Sequence, residues 1–217
     1  MALVRPDPDG ETRRRLRDAA ARLFASHGWA GVTVRDICSA AEANIAAVNY
    51  HFDGKAGLYD EVVTAAIRLM RQTMAESRDA GTGRAAEDRL RAHVRVFLRR
   101  TAPDAPDAWA HHIMLRELTD PTPAHSRVVE DVVRPQVQYL QDIVAELLGC
   151  DAGDLRAARC AFSVHAQCVA MMNPVSVEQA LGNGEGASTT PDERIDVMVD
   201  HITEFSLAGL WALARMT

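Results

Sequence analysis

Apolar residues in this chain return at intervals of three and four, and alternating β-branched runs are absent, so the pattern predicts helices and no sheet. Leu16, Ala19, Ala20, Leu23 and Phe24 make one face of a first helix, which ends at Gly28, a residue type that accepts the left-handed conformation after a helix. Thr33 is placed to cap a short second helix with Val34, Ile37, Cys38 and Ala41 as its inner stripe. Asn44 is placed to cap a third, from Ile45 to about Tyr50, with Val48 and Phe52 as core. Asp53 and Gly54 then break the chain before a long amphipathic helix, whose Leu58, Val62, Ala65 and Leu69 share a face as far as about Asp79.

The remaining breaks are GTG at 81–83, APDAP at 102–106, and Pro121 with Pro123. They delimit a helix centred on Val94 to Leu98, one over DAWAHHIMLREL, and a helical stretch from Ala124 to Leu148 that Pro135 should kink or split. Two last helices span about Asp154 to Met172 and Asp192 to Ala214, and GNGEGASTTP between them reads as a mobile loop. The expectation is an all-α chain of about nine helices: a three-helix domain over residues 1–53 and a helical domain over 54–217.

Composition narrows the class. A chain of 217 residues with 47% apolar side chains can bury a proper core. It has no run of about 18 apolar residues to span a bilayer, and MALVRPDPDG lacks the apolar stretch of a secretory signal, so a cytoplasmic location is expected. The net charge of −6 argues against indiscriminate binding to nucleic acid, but residues 1–60 carry eight basic and eight acidic side chains, leaving the excess acid in the remainder. Any anion-binding surface belongs to the first quarter, where Arg13, Arg14, Arg15, Arg17 and Arg22 cluster.

Catalytic and metal signals are weak. GNGEGA matches a dinucleotide fingerprint by letters, yet that fingerprint works only between a strand and a helix. His111 and His112 point about 100° apart on a helix and cannot readily share an ion, so no metal or cofactor is expected. An enzyme using His111, His112 or His165 as general base lacks a nucleophile, a carboxylate pair or a metal set, and the chain is read as a non-enzyme. Cys38, Cys150, Cys160 and Cys168 have no ligand spacing and read as buried apolar groups. The alternative, a redox-responsive regulator, needs a bridge between subunits, because Cys160 and Cys168 lie about 12 Å apart along one helix.

The first sixty residues carry the sharper signal. A short helix pinned by two others fits the major groove of B-DNA, and its first turn reaches base edges. Capped N-termini at Thr33 and Asn44 present the positive ends of helix dipoles to phosphates. Lys55, the only lysine in the chain, falls in the first turn of the long helix, where a cation opposes the dipole unless a phosphate lies beside it. Tyr50 and His51 can add donors to the same backbone.

Residues Thr12 to Val62, with their AAxxLFxxxGxxxxTVxDI segment, HF pair and KxxLY, resemble the DNA-binding domain of the TetR family of transcriptional regulators. RELTDPTPAH, followed by VVRPQ, resembles a CerR-like C-terminal subgroup of that family. The resemblance implies a homodimer that binds double-stranded operator DNA and is released by a small-molecule effector. Carried over by position, base reading falls on Ile45, Ala46, Ala47 and Asn49, and phosphate contact on Thr33, Asn44, Tyr50, His51 and Lys55. The sequence departs from the family where the common turn glycine is Glu42, at a cost of about 1 kcal/mol if that residue is left-handed. Asn49 stands in place of the usual aromatic.

CAFSVHAQCVAMM and FSLAGLWAL are apolar nearly all the way round, and a second apolar face needs a second partner. The expected dimer interface takes Cys160, Val164 and Cys168 from one helix and Ile195, Met198, Ile202, Phe205, Gly209 and Ala212 from the other. An effector pocket is expected from Met70, Phe97, Trp109, His111, Met114, Arg116, His165 and Gln167, a lining that suits a mostly apolar ligand with one or two polar anchors.

Overall fold

The computed structural model describes residues 8–172 and 190–216, and within them every regular element is a helix. Helix α1 (Pro8–His27) buries Leu16, Ala19, Ala20 and Phe24, and ends where Gly28 turns to φ 74° and returns its N–H to the Phe24 carbonyl at 2.9 Å. Helix α2 (Val34–Ala40) starts with a capping box, in which Thr33 and Asp36 each satisfy the other's backbone N–H. The turn after it places Glu42 at φ 50°, so the position where the family favours glycine is indeed left-handed.

Asn44 caps α3 (Ile45–Phe52) by accepting from the N–H of Ala46 at 2.9 Å, and Asp53 and Gly54 end it with φ of 57° and 94°. Helix α4 (Lys55–Gly81) begins at once. The corner is tight enough that a Cβ on Gly57 would fall 1.8 Å from the Phe52 carbonyl oxygen, so only glycine fits there. Helices α5 (Ala86–Thr101) and α6 (Ala108–Thr119) follow.

The expected split at Pro135 is present. A single turn, α7 (His125–Val128), widens into a π-turn over Val129–Val133 before α8 (Arg134–Leu148) resumes with the proline in its first turn. Pro135 has no N–H to return four residues back, and its ring crowds the preceding turn, so the chain opens there. Helices α9 (Leu155–Ala170) and α10 (Pro191–Ala214) complete the chain, making nine helices longer than one turn among the described residues. Most of the loop read as mobile, 182–189, lies outside the described residues, but its last residues Thr190 and Pro191 open α10 with a second capping box.

The chain divides into two compact units. One takes the chain through Met70 together with Trp109–Val129; the other takes Arg71–Ala108 and the chain from Glu130 onward. The reason is polar and local to the first unit. Glu117, fully buried, accepts from the Tyr59 hydroxyl and from the Thr122 hydroxyl at 2.8 Å. Arg116 donates through Nε to the Ala25 carbonyl at 2.7 Å and through Nη2 to that of Ser26, closing the open end of α1. Phe24, Trp29 and Tyr59 stack edge and face beside these bonds, with ring centroids 4.9 to 5.9 Å apart.

The second unit packs α5, α8, α9 and α10 around Leu90, Val94, Leu140, Ile143, Ala161, Val199 and Leu210, all nearly or wholly buried. Ion pairs Arg91–Asp200 and Arg95–Asp196 run along the α5 and α10 edge.

Candidate nucleic-acid interface

The outward face of α3 is the feature to explain. Val48 and Phe52 are buried and anchor the helix, whereas Ile45, Ala46, Asn49 and Tyr50 are exposed and Ala47 is half-buried. The helix is pinned by α1 and α2, so its position does not depend on its own marginal length of eight residues. An exposed isoleucine on a short rigid helix, with the helix N-terminus capped and open to solvent beside it, suits insertion into a groove.

Around this face the predicted phosphate contacts divide. Asn44 and Thr33 are both exposed at helix N-termini, as capping requires. The Thr33 hydroxyl also donates to Asp36 at 2.7 Å, and that bond holds the Asp36 carboxyl below its ordinary range. Tyr50 and His51 turn toward α1 instead: the Tyr50 hydroxyl donates to Asp9 at 3.5 Å and His51 Nε2 lies 3.8 Å from the same carboxylate. The groove beside them is lined by Asp53, Asp60 and Glu61, an acidic surround for two intended phosphate donors.

Lys55 does stand in the first turn of α4, but its ammonium is already engaged. It donates to the Trp29 carbonyl at 2.6 Å and sits 4.3 Å from the centroid of the Trp29 ring, and burial draws its pKa below the ordinary lysine value. The side chain thus ties the start of α4 to the loop after α1, which offsets the unfavourable dipole without any phosphate.

The arginine cluster of α1 is likewise largely self-paired, Arg13 with Glu61, Arg14 with Glu11 and Arg17 with Asp18. Arg22 and Arg35 are exposed and make no ion pair among the described residues. Arg35 lies two residues beyond the Thr33 cap and is not among the residues expected from sequence.

Of the expected pocket residues, Met70, Trp109, His111, Met114 and Arg116 fall in the first unit, and Phe97, His165 and Gln167 in the second. Arg116 spends its guanidinium on α1, and Gln167 bonds Ser206 at 3.2 Å, so neither head group is uncommitted. Phe97 and His165 meet edge to face, with centroids 5.5 Å apart. His93, which the sequence reading passed over, is completely enclosed nearby; burial and then His165 depress its pKa to about 4.

The expected interface residues also separate. Val164, Cys168 and Ile202 are buried in the protomer's own core, and Cys160, Ile195 and Met198 pack partly against it. Phe205, Gly209 and Ala212 are exposed, and the outward stripe continues through Phe162 and Ala166 on α9 and Ala208 on α10. Burial pushes the Cys168 thiol up to about 12 and also raises Cys160, which leaves both as protonated apolar groups at neutral pH.

A capped, outward helix held by two partners is the geometry of a helix-turn-helix DNA-binding protein, here joined to a larger helical domain. Residues 16–62 match the model of the bacterial regulatory proteins of the tetR family, and residues 86–210 that of the C-terminal domain of the HTH-type transcriptional dual regulator CecR. The chain belongs to the TetR family, with a C-terminal domain of the CecR type.

It is 29% identical over 156 residues to CecR of Shigella flexneri, covering 67% of this chain and 69% of that one. It is 42% identical over 59 residues to the HTH-type transcriptional repressor KstR2 of Rhodococcus jostii, a match that spans 26% of this chain and only 29% of that protein. The crystal structure of AibR in complex with isovaleryl coenzyme A and operator DNA shares the fold, with a TM-score of 0.66, 16% identity, and coverage of 88% of this chain and 97% of that one. The protein is a transcriptional regulator and not an enzyme, so the reading of a helix-borne histidine as general base falls away. No helix among the described residues is long and apolar enough to cross a membrane.

Proposed function

We propose that this chain is a cytoplasmic, ligand-responsive repressor that binds an inverted-repeat operator as a homodimer and is released from it by a small-molecule effector. The outward face of α3 carries the reading: four exposed positions on a helix whose other side is core. Ile45, Ala46, Ala47 and Asn49 meet base edges, while Asn44 and Thr33 at the helix ends, together with Arg35, meet phosphates. Tyr50, His51 and Lys55 join them on binding only by exchanging Asp9 and the Trp29 carbonyl for phosphate oxygens.

Two copies of α3 must sit about 34–36 Å apart to enter successive major grooves, which requires a twofold dimer. The exposed stripe of Phe162, Ala166, Phe205, Ala208, Gly209 and Ala212 favours α9 and α10 as the surface that pairs. Repression is supported by the likeness to KstR2, and ligand binding by the AibR neighbour, whose complex holds both isovaleryl coenzyme A and operator DNA. The effector site draws on the residues around Met70, Trp109, His111 and Met114, and its occupancy shifts a population with about 1–3 kcal/mol of coupling.

Light scattering and fluorescence anisotropy on duplexes selected from random DNA test this. A dimer that retains inverted repeats and loses affinity steeply with salt is the expected result. A monomer, or retention without any repeat symmetry, overturns it.

A further inference from the structure

Helix α3 carries eight side chains, and most of them can be assigned without DNA. Val48 and Phe52 are buried. Tyr50 and His51 face Asp9. Ile45, Ala46 and Ala47 have no hydrogen-bonding atom in their side chains. Asn49 remains: it is exposed, it makes no side-chain hydrogen bond among the described residues, and it lies one turn from Ile45 on the same outward face. The helix therefore offers base edges one uncommitted amide and a small apolar surface that is 47% exposed at Ile45.

Resting on the operator-binding reading above, we propose that α3 reads each half-site through a two-part code: Asn49 pairs bidentately with one adenine, and Ile45 with Ala46 packs on the methyl group of a nearby thymine. The carboxamide is complementary to the major-groove edge of adenine, with Nδ2–H donating to N7 and Oδ1 accepting from N6–H. A phosphate uses only the donor and leaves Oδ1 bare. Phosphates are also served from the helix ends, where Asn44, Thr33 and Arg35 stand.

The apolar half follows from the same geometry, because the thymine methyl is the apolar group of the major-groove edge. Four residues of helix advance about 6 Å, which keeps the thymine and adenine within a step or two of each other. With a single hydrogen-bonding reader, specificity centres on A·T pairs and tolerates change elsewhere in the half-site.

The test uses the full-length protein and duplexes selected from a random pool. Anisotropy is then measured on the best duplex with 7-deaza-adenine in place of the adenine and deoxyuridine in place of the thymine. Replacing the adenine pair should weaken wild-type binding about 5- to 150-fold, 7-deaza-adenine by part of that, and uracil about fourfold for the lost methyl. Asn49→Ala, at an exposed position that leaves the fold intact, should lose discrimination at the adenine while keeping its salt slope. Asn49→Asp should move the preference there to cytosine, whose N4–H₂ suits a carboxylate acceptor.

If Asn49→Ala weakens binding uniformly and still prefers adenine, Asn49 is a phosphate contact and the code is wrong. Equal binding to thymine and uracil removes the apolar half. If wild-type protein retains no duplex at all, the operator-binding reading has failed, an outcome distinct from retained duplexes that carry no A·T preference.

Discussion

Two surfaces of this chain leave apolar side chains in water, and they are built for different partners. On α3 the exposed group is one isoleucine flanked by alanines and an amide beside a capped helix end, with the hydroxyl-bearing ring of Tyr50 a turn further on. On α9 and α10 it is whole aromatic rings, Phe162 at 70% and Phe205 at 67% exposure, on helices that also expose Ala166, Ala208, Gly209 and Ala212. A groove edge with alternating donors, acceptors and methyls suits the first; another helix with side chains to insert between small residues suits the second. Exposed apolar area alone therefore does not name the partner. The neighbouring hydrogen-bonding capacity does.

The sharpest way to break the comparison is to charge the aromatic surface. Phe205→Glu should convert a dimer to a monomer by light scattering and reduce operator affinity by about two orders of magnitude or more, because the second half-site ceases to be held at high effective concentration. Unchanged mass would assign that face to some other contact.

A buried polar change supplies the contrast between folding and binding. Tyr59→Phe removes one donor from buried Glu117, which keeps Thr122, so stability should fall by about 1–2 kcal/mol in urea unfolding. Oligomeric mass should not change.

Lys55→Ala sharpens the first surface. If the ammonium leaves Trp29 for phosphate on binding, the variant should bind all sequences roughly tenfold more weakly, and its salt slope should flatten by about 1. A lower melting temperature with an unaltered slope would leave Lys55 as the tie between α4 and the loop after α1.

A further effect is on pH. His93 titrates near 4 in the folded chain against an ordinary value of 6.5, so the unfolded chain takes up the proton first as pH falls. That contribution to stability is complete above about pH 6.5, is lost between there and about pH 4, and levels off below. Urea midpoints at pH 7 and 5 should differ more for wild type than for His93→Phe.

Much of the fold was legible because its signals are local. Gly28, Thr33, Asn44, Gly54 and Pro135 act on their own backbone or within a turn of it, and each lies where the sequence placed an end, a cap or a break. Even the strain at Glu42 was readable from a missing glycine. What escaped were bonds between residues far apart in sequence: Lys55 to Trp29, and Arg116 to Ala25 and Ser26. Nothing in a stretch such as RELTDP states that its arginine closes a helix ninety residues earlier.

The choice of interface residues was less legible for another reason. A helix that is apolar all round offers two stripes with the same three-and-four spacing, and periodicity cannot tell which of them the protomer buries for itself. The chosen stripe joined Ile202, which is core, to Phe205, which is not.

The central claim is that the open side of α3 docks on DNA, and Ala46→Glu tests it most directly. Position 46 is exposed, so the substitution leaves the melting temperature and dimer mass as they are while setting a carboxylate against the duplex. Anisotropy on a selected operator should show wild-type binding and its loss, by at least about a hundredfold, in the variant. Equal affinity of the two proteins would contradict the account.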